Sequence, residues 1–344
     1  MRAHAAILEK LNAPLVLDEV ELPRLECGQV LVEVHCSGIC GAQLGEIAGV
    51  KGEDKFLPHL LGHEGGGIVL ETGPGVTCVK EGDHVVLHWR KGFGIQSQAP
   101  KYRWAGRLLN AGWVTTFNQM AVISENRLTP IPKEVNFEVA ALMGCAVTTA
   151  FGLINNDAQL KIGQSVAVFG CGGVGLSVIM GAALVAADPI IAVDIYDGKL
   201  ESASELGATD CINSTRTNLR DEIRRIVGSR GLDVAVENTG LVKVIELAYE
   251  LTASQGRTIL VGVPRFDQDI TIHSLPLHFG KILTGVEGGH SNPPIDIPRY
   301  LSLYLKGKLK LDRLITHRFP LREINTALDW IRRGEVGRCL IACQ

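Results

Sequence analysis

Two patterns of apolar and polar residues follow one another along this chain of 344 residues. From residue 1 to about 146, short alternating runs are separated by Gly, Pro and Asp, which predicts a mainly β region. These runs include Val30–Val34, Gly67–Leu70, His84–His88 and Phe117–Ile123. From about 147 to 289, fully apolar runs alternate with helical stretches, which is typical of a doubly wound parallel sheet. The apolar runs lie at 165–170, 190–194, 233–237 and 257–263, and the helical stretches at 174–186, 199–206, 217–228 and 241–253.

The change of pattern predicts two domains of an α/β protein. A chain of this length exceeds the size that one hydrophobic core usually serves. We expect a parallel α/β domain at 147–289, inserted between two parts of a mainly β domain at 1–146 and 290–344. Helices near 297–307 and 321–334 are expected in the second part.

Composition and charge narrow the choice of partners. Apolar residues make up 46% of the chain and charged residues 21%, as in soluble globular proteins. The net charge is −3 without a long run of one sign, which argues against nucleic acid or an anionic membrane as the main partner. No signal-like core and no run of about 18 apolar residues is found in the sequence. A cytoplasmic protein that acts on a small molecule is therefore expected.

The first apolar run of the second pattern leads into a glycine-rich turn. The turn reads Gly-x-Gly-x-x-Gly and consists of Gly170, Cys171, Gly172, Gly173, Val174 and Gly175. Gly170 permits a tight turn, Gly172 lets the backbone approach a pyrophosphate, and Gly175 lets the following helix pack closely on the strand. Asp194 ends the next apolar run, where a carboxylate can bind the adenosine ribose. The unit predicts a dinucleotide site, and the charge of Asp194 favours NAD over NADP.

Three residues of the β-rich region form a possible zinc set. They are Cys40 in Gly-Ile-Cys-Gly, His63 in Leu-Gly-His-Glu-Gly and Cys145 in Gly-Cys-Ala-Val-Thr-Thr-Ala. Two thiolates and one imidazole leave the fourth tetrahedral position open, as a catalytic zinc requires. Taken singly, residues of these types are more often a buried thiol or a hydrogen-bonded core histidine than a metal ligand, and the wide spacing of the three does not change that.

Several motifs together resemble one family over nearly the whole chain. Gly-His-Glu-Gly, Gly-Pro-Gly-Val-Thr, Glu-Gly-Asp-His-Val, Gly-Cys-Ala-Val-Thr-Thr-Ala and the glycine-rich turn are similar to those of the zinc-dependent medium-chain alcohol dehydrogenases. The resemblance implies a GroES-like catalytic domain and a Rossmann domain. It also implies NAD(P)-linked interconversion of alcohols and carbonyls by dimers or tetramers.

The resemblance also implies roles for individual residues. Cys40, His63 and Cys145 match the catalytic zinc ligands, and Glu64 matches an acid beside the metal that can approach it as a further ligand. Four other positions match cofactor contacts: Thr149 beside the nicotinamide, Lys199 near the adenosine ribose, Arg338 near the pyrophosphate, and Val261 in the matching segment Gly256–Pro264. For Lys199 and Arg338 the alternative is ordinary surface charge, and for Thr149 a hydroxyl at a helix start.

Two departures from the family pattern change the expected chemistry. The segment from His88 to Trp113, where the family's structural zinc uses four cysteines, contains none, so one metal per chain is predicted. Ala42 and Gly45 replace the Ser or Thr and the His that relay the alcohol proton in the family. Gln43 replaces an Asp, and its amide oxygen is expected to accept a hydrogen bond from the remote N–H of His63. Four other residues are candidates for the missing proton transfer, each with a structural alternative: Glu46, His59, Glu64 and His88.

The segment from His88 to Trp113 has an unusual composition. It holds three tryptophans and five cations but no Asp or Glu. One interpretation is a solvated lobe whose aromatic residues pack on the domain. The other is a pocket for an anionic or polyhydroxylated substrate, with His88, Trp89 and Arg90 among its residues, because arginine binds phosphate well and tryptophan stacks on sugars.

The edge of the predicted parallel sheet indicates how the chain assembles. Segments Ile270–Leu275 and Lys281–Val286 are expected to be edge strands, and an open edge favours pairing with a second copy. A homodimer is therefore expected, with a tetramer as the alternative.

The leading functional hypothesis is a zinc-dependent, NAD-linked dehydrogenase that interconverts a secondary alcohol and its carbonyl. Its substrate would be polyhydroxylated or phosphorylated under the second interpretation of the His88–Trp113 segment. Two other classes stay open: a redox-neutral zinc lyase or epimerase with bound NAD, and a non-catalytic NAD-binding protein.

Overall fold

The computed structural model describes residues 1–50, 52–334 and 337–344. They divide into two compact units. The first unit is Met1–Thr148 with Asn292–Gln344, and the second is Thr149–Ser291. Each division falls two residues after the boundary expected from the change of hydrophobic pattern.

The strands of the described chain are, in order, β1 (Arg2–Leu8), β2 (Val16–Glu21), β3 (Gln29–Gly38), β4 (His59–Leu60), β5 (Glu64–Thr72), β6 (His84–His88), β7 (Tyr102–Trp104), β8 (Arg107–Leu109), β9 (Met120–Ser124), β10 (Leu128–Pro130), β11 (Val166–Phe169), β12 (Ile190–Asp194), β13 (Asp210–Asn213), β14 (Leu232–Glu237), β15 (Thr252–Leu260), β16 (Ile282–Gly285), β17 (Ile315–Pro320) and β18 (Arg338–Ala342). The helices are α1 (Gly41–Ile47), α2 (Phe137–Met143), α3 (Ala146–Gly152), α4 (Gly173–Leu184), α5 (Asp197–Glu205), α6 (Leu219–Val227), α7 (Val242–Leu251), α8 (Pro293–Leu305) and α9 (Ile324–Arg332).

The first unit contains two mainly antiparallel sheets. One has the order β4-β1-β2-β7-β8, and the other has the order β10-β6-β5-β3-β18-β17 with β9 also paired to β3. Side chains alternate between the faces of a strand, so β3 serves two cores. Val30, Val32 and Val34 lie in the larger core, and Leu31 lies in the core beneath the five-stranded sheet. The predicted GroES-like β unit is confirmed.

The second unit is a parallel sheet of the order β13-β12-β11-β14-β15-β16. Strands β11 and β12 are buried along their whole length, which explains their uninterrupted apolar sequence. The strand order reverses between β11 and β14, as in Rossmann domains, and ligands bind such sheets at the carboxyl ends of the strands there. The predicted Rossmann unit is also confirmed.

One predicted element of the second unit is wrong. The segment Ile270–Leu275 is not a strand, and Leu275–Phe279 forms a 3-10 helix with Pro276 in its first turn. A proline lacks the N–H that a sheet ladder needs, which favours the helical turn. Within the neighbouring segment 281–286, Ile282–Gly285 is the edge strand β16 and pairs with β15.

Within the described ranges, no single helix has the length and apolar character needed to cross a membrane. One bent pair of helices, Phe137–Met143 with Ala146–Ala158, meets these two requirements only when its members are taken together.

Candidate functional site

Three loops of the first unit bring together one possible metal site. Cys40 precedes α1, His63 precedes β5, and Cys145 lies between α2 and α3. One donor atom from each residue lies within 4.8 Å of the other two. The pKa of the Cys40 thiol lies well below its usual value, chiefly because Cys145 hydrogen-bonds to it. Two sulfurs and one imidazole nitrogen at this spacing fit a zinc ion with an open fourth position.

A buried ion pair lies next to these ligands. Glu64 is fully buried and its Oε2 bonds to Arg338 Nη2, while Arg338 Nη1 donates to the Ile39 carbonyl at 2.9 Å. A Cβ on Gly38 would lie 2.7 Å from Arg338 Nη2 and 2.8 Å from Glu64 Cδ, so a larger residue here would displace the ion pair. Glu64 is therefore held by Arg338 and does not belong to the close donor group. Arg338 is 3% exposed and is not the surface cation that the sequence also allowed.

The expected contact between Gln43 and His63 is not formed. Gln43 Nε2 donates to Glu46 Oε2 at 3.1 Å, and its buried Oε1 has no hydrogen-bond partner among the described residues. The cause is the helix α1, which places residues three apart on neighbouring positions of one face. Ala42 is exposed and, like Gly45, offers no group that could carry a proton.

Both histidines considered as proton carriers have hydrogen-bond partners at their two ring nitrogens. His59 contacts the Leu60 carbonyl and Asp54 Oδ2 through its two ring nitrogens. His88 Nδ1 donates to the Arg90 carbonyl at 2.7 Å, and its Nε2 accepts from Thr129 Oγ1 at 2.9 Å. Burial lowers the pKa of His88 to about 4, so its ring is neutral. The prediction that His88 faces a substrate pocket is wrong.

The glycine-rich turn of the second unit has the geometry that a dinucleotide requires. Gly170 has φ +91°, which favours glycine. A Cβ on Gly175 would lie 2.0 Å from the Gly170 carbonyl oxygen, so no larger residue permits this packing of helix on strand. Gly172 precedes α4 and a Cβ there would meet open space. Gly173 and Val174 form the first turn of α4.

Asp194 lies at the carboxyl end of β12, where its carboxylate is fixed by main-chain donors. Its Oδ2 accepts from the Cys171 N–H at 2.7 Å, and its Oδ1 accepts from Ile195 N–H at 2.8 Å. Lys199 Nζ lies 4.9 Å from the centre of the Tyr196 ring, close to the same strand end. This places a fixed negative charge at the sheet edge that binds cofactors in Rossmann domains.

Other candidate residues of the second unit differ in how well the sequence identified them. Val261 N–H donates to the Glu237 carbonyl at 2.8 Å, and Thr149 is buried. The loop after β14 was missed. A Cβ on Gly170 would lie 3.6 Å from Asn238 Cβ, and Asn238 Oδ1 is buried without a hydrogen-bond partner in the described chain. The signal was available, because β14 neighbours β11 where the strand order reverses.

Trp104 and Arg107, from the segment between residues 88 and 113, hold a hairpin in place. Strands β7 and β8 form this hairpin, which extends the five-stranded sheet beyond β2. Trp104 Nε1 donates to Asp18 Oδ2 at 2.8 Å, and Arg107 lies over the Trp104 ring and bonds to Glu9. These contacts fit the interpretation of a lobe that packs on the domain. Trp89 and Arg90, 5.8 Å apart from ring centre to Cζ, lie outside the hairpin.

A GroES-like unit with a Cys-His-Cys metal site, joined to a Rossmann unit, defines the class of zinc-containing, NAD-linked oxidoreductases. Comparison with known protein families supports this class. Residues 26–133 match the alcohol dehydrogenase GroES-like domain, and residues 173–304 match the zinc-binding dehydrogenase domain. The chain belongs to the zinc-dependent medium-chain alcohol dehydrogenase family.

Individual relatives match along their whole length. S-(hydroxymethyl)glutathione dehydrogenase of Paracoccus denitrificans is 31% identical over 383 aligned residues, with 99% of this chain and 100% of that protein covered. Alcohol dehydrogenase class-3 of Cereibacter sphaeroides is 32% identical, with 99% and 100% covered. Among solved structures, the benzyl alcohol dehydrogenase of Acinetobacter calcoaceticus has a TM-score of 0.90 at 28% identity, and both chains are covered completely.

Proposed function

We propose that this enzyme interconverts a secondary alcohol and its carbonyl, with zinc at Cys40, His63 and Cys145 and NAD as the hydride carrier. The donor group of these three residues, within 4.8 Å, is the observation that carries the proposal. Family membership and the names of the relatives, which are alcohol and S-(hydroxymethyl)glutathione dehydrogenases, support the alcohol dehydrogenase activity.

The residues divide the work between the two units. When bound, zinc would polarise the substrate oxygen and NAD would accept or return a hydride. Cys40, His63 and Cys145 would hold the metal in the first unit, and the Arg338–Glu64 pair fixes the strand ends behind them. In the second unit, the N-terminus of α4 and the open side of Gly172 suit a pyrophosphate, and Asp194 suits the ribose.

The alcohol proton needs a route that Ala42 and Gly45 do not offer. Of the four candidates from the sequence, His59 and His88 have both ring nitrogens occupied, and Glu64 bonds to Arg338. Glu46 is half-buried and lies six residues after Cys40. Its carboxylate accepts a hydrogen bond from Gln43 Nε2. We assign proton transfer to Glu46, with water completing the path to solvent.

One metal per chain, a homodimer and a cytoplasmic location complete the proposal. The open edge at β16 supports the dimer, together with exposed apolar side chains such as Phe279 in the preceding 3-10 helix. Light scattering at micromolar concentration tests it: a mass of twice 37.1 kDa supports the dimer, and the mass of one chain contradicts it.

Reduction of NAD by zinc-loaded protein tests the enzymatic proposal. The substrates are simple secondary alcohols, polyols and sugar phosphates, and the readout is absorbance of the reduced nicotinamide. Cys40→Ser should remove both bound zinc and turnover. Cys27→Ser is the matched control, because Cys27 is an exposed free thiol of the same unit outside the donor group.

Two results would contradict the proposal. Turnover that survives in Cys40→Ser would exclude the assigned metal site. Conversion of a substrate without net NADH, at one zinc per chain, would favour a redox-neutral lyase or epimerase, the class that the missing proton relay keeps open.

A further inference from the structure

Two arginines of the described chain are buried, and their surroundings differ. Arg338 is 3% exposed and bonds to Glu64. Arg127 is 6% exposed and has no carboxylate partner among the residues that the structure describes. Its Nη1 is buried without any hydrogen-bond partner, and its Nη2 reaches only Gln96 Oε1 at 3.5 Å. A buried charge of this kind is normally paired.

The side chains around Arg127 do not neutralise it. Its guanidinium lies 5.4 Å from the centre of the Trp113 ring, which offers a flat surface but no full charge. Burial, and then the nearby charge of Arg90, lower the pKa of Arg127. The adjacent Glu125 cannot help, because its two oxygens accept the main-chain N–H groups of Thr77, Cys78 and Ile95. The described surroundings of Arg127 therefore supply no negative charge to pair with it.

Arg107 provides an internal comparison. It also lies over a tryptophan, with 4.3 Å between its Cζ and the centre of the Trp104 ring. Unlike Arg127, it bonds to a glutamate, Glu9, and its side chain is 49% exposed. Both arginines therefore stack on a tryptophan, but only the exposed one, Arg107, also pairs with a carboxylate. The buried one, Arg127, does not.

Strand register locates Arg127 relative to the candidate metal ligands. Glu64, which follows His63, pairs with His88 on β6, and Leu128 on β10 pairs with Leu87. Arg127 therefore precedes β10 beside His88, two strands from Glu64. Two strand spacings put about 10 Å between the main chains of Arg127 and Glu64. A small substrate with its reacting oxygen at the metal could place a charged group near Arg127.

We propose that Arg127 binds an anionic group of the substrate, a phosphate or a carboxylate, and so selects alcohols or carbonyls that carry one. This rests on the proposed function for the position of the reacting oxygen. Gln96 is exposed and its bond to Arg127 is long, so an anion can displace it. The two terminal nitrogens of a guanidinium fit two oxygens of such a group.

Calorimetric titration with inorganic phosphate tests the binding directly. The zinc-loaded protein is saturated with NAD so that the glycine-rich turn does not bind phosphate. Wild type should bind in a saturable way, and Arg127→Gln should raise the Kd about ten-fold or more. Arg127→Lys, which keeps the charge and the fold, should lie between them, and the matched control Arg107→Gln should not differ from wild type. Acetate in place of phosphate distinguishes a phosphate site from a carboxylate site.

Two binding results would overturn the proposal: no saturable binding of either anion to wild type, or equal weakening in Arg127→Gln and Arg107→Gln. A kinetic measurement adds the substrate. Arg127→Gln should raise KM for a phosphorylated polyol at least ten-fold more than KM for the same polyol without phosphate, and equal effects would also contradict selection by charge. If no alcohol is turned over while phosphate binds through Arg127, the proposed reaction fails and the anion site stands.

Discussion

Glu125 fastens two loops of the first unit from a position that water does not reach. Its carboxylate is fully buried and accepts the N–H groups of Thr77 and Ile95 at 2.6 Å and of Cys78 at 2.7 Å. A Cβ on Gly94 would lie 2.6 Å from Glu125 Cδ, so the chain has no room to move away. We expect Glu125→Gln to destabilise the unit strongly.

The expected loss of stability in Glu125→Gln follows from the main-chain N–H donors that would lose their acceptor. A glutamine keeps one acceptor oxygen, and its NH2 group must face at least one main-chain N–H. The loss of one charge-assisted hydrogen bond costs about 1.5–3 kcal/mol, and the buried donor left without an acceptor costs about 1–3 kcal/mol more. We expect a decrease of about 3–5 kcal/mol in the free energy of unfolding. For a unit of this size, that lowers the Tm by roughly 6–20 °C.

The pH dependence gives a second test with a definite sign. Burial, the largest single influence, raises the pKa of Glu125, but the three main-chain hydrogen bonds outweigh it and the pKa lies below its usual value. A depressed carboxyl pKa contributes stability above the unfolded pKa of about 4.3 and loses it as the pH falls through the folded pKa. The difference in free energy of unfolding between wild type and Glu125→Gln should therefore be constant near neutrality and become smaller below about pH 4.3.

Urea and thermal unfolding of both proteins, at neutral pH and in steps down to pH 3.5, measure this difference. Glu19→Gln is the matched control, because this glutamate is 46% exposed, pairs with Arg2 and should change stability by less than about 1 kcal/mol. A difference below about 1 kcal/mol for Glu125→Gln, or one that grows in acid, would refute the reasoning.

Four further substitutions test other parts of the structure. Gly175→Ala places a Cβ 2.0 Å from the Gly170 carbonyl oxygen and should lower both the stability of the second unit and NAD affinity, whereas Gly172→Ala meets open space and should leave the Tm within about 1 °C while weakening NAD binding, as seen by calorimetry. Tyr102→Phe leaves the buried Val122 N–H without the hydroxyl that it reaches at 2.7 Å, and should cost about 1–3 kcal/mol in urea unfolding. Gly38→Ala should destabilise the protein because its Cβ meets Arg338 and Glu64, and a Tm equal to that of wild type would contradict the packing described around this pair.

The sequence predicted the features that depend on local pattern. Both domains, the parallel strands, the glycine-rich turn and the position of Asp194 follow from hydrophobic periodicity and from the φ values that only glycine adopts easily. Cys40, His63 and Cys145 needed the family resemblance, because residues so far apart meet only through the antiparallel sheet.

Contacts between side chains could not be predicted in the same way. Gln43 was expected to reach His63, but the helix α1 directs its amide to Glu46. His88 and the cations after it were candidates for a pocket, but the register of β6 with β10 buries His88 against Thr129. Arg127 was not singled out, since its lack of a carboxylate partner among the described residues is a property of the folded surroundings and not of the nearby sequence.

The hairpin of β7 and β8 has a consequence for the conditions in which the enzyme can work. The described side-chain contacts that hold it are a tryptophan–aspartate hydrogen bond, an arginine–glutamate ion pair and an arginine stacked on an indole ring. None of these contacts involves a thiolate or a metal ligand, so thiol oxidation and removal of a metal leave all three in place. If zinc is held as proposed, oxidation of its cysteine ligands would stop turnover while this hairpin keeps its contacts, and added reductant and zinc should restore activity.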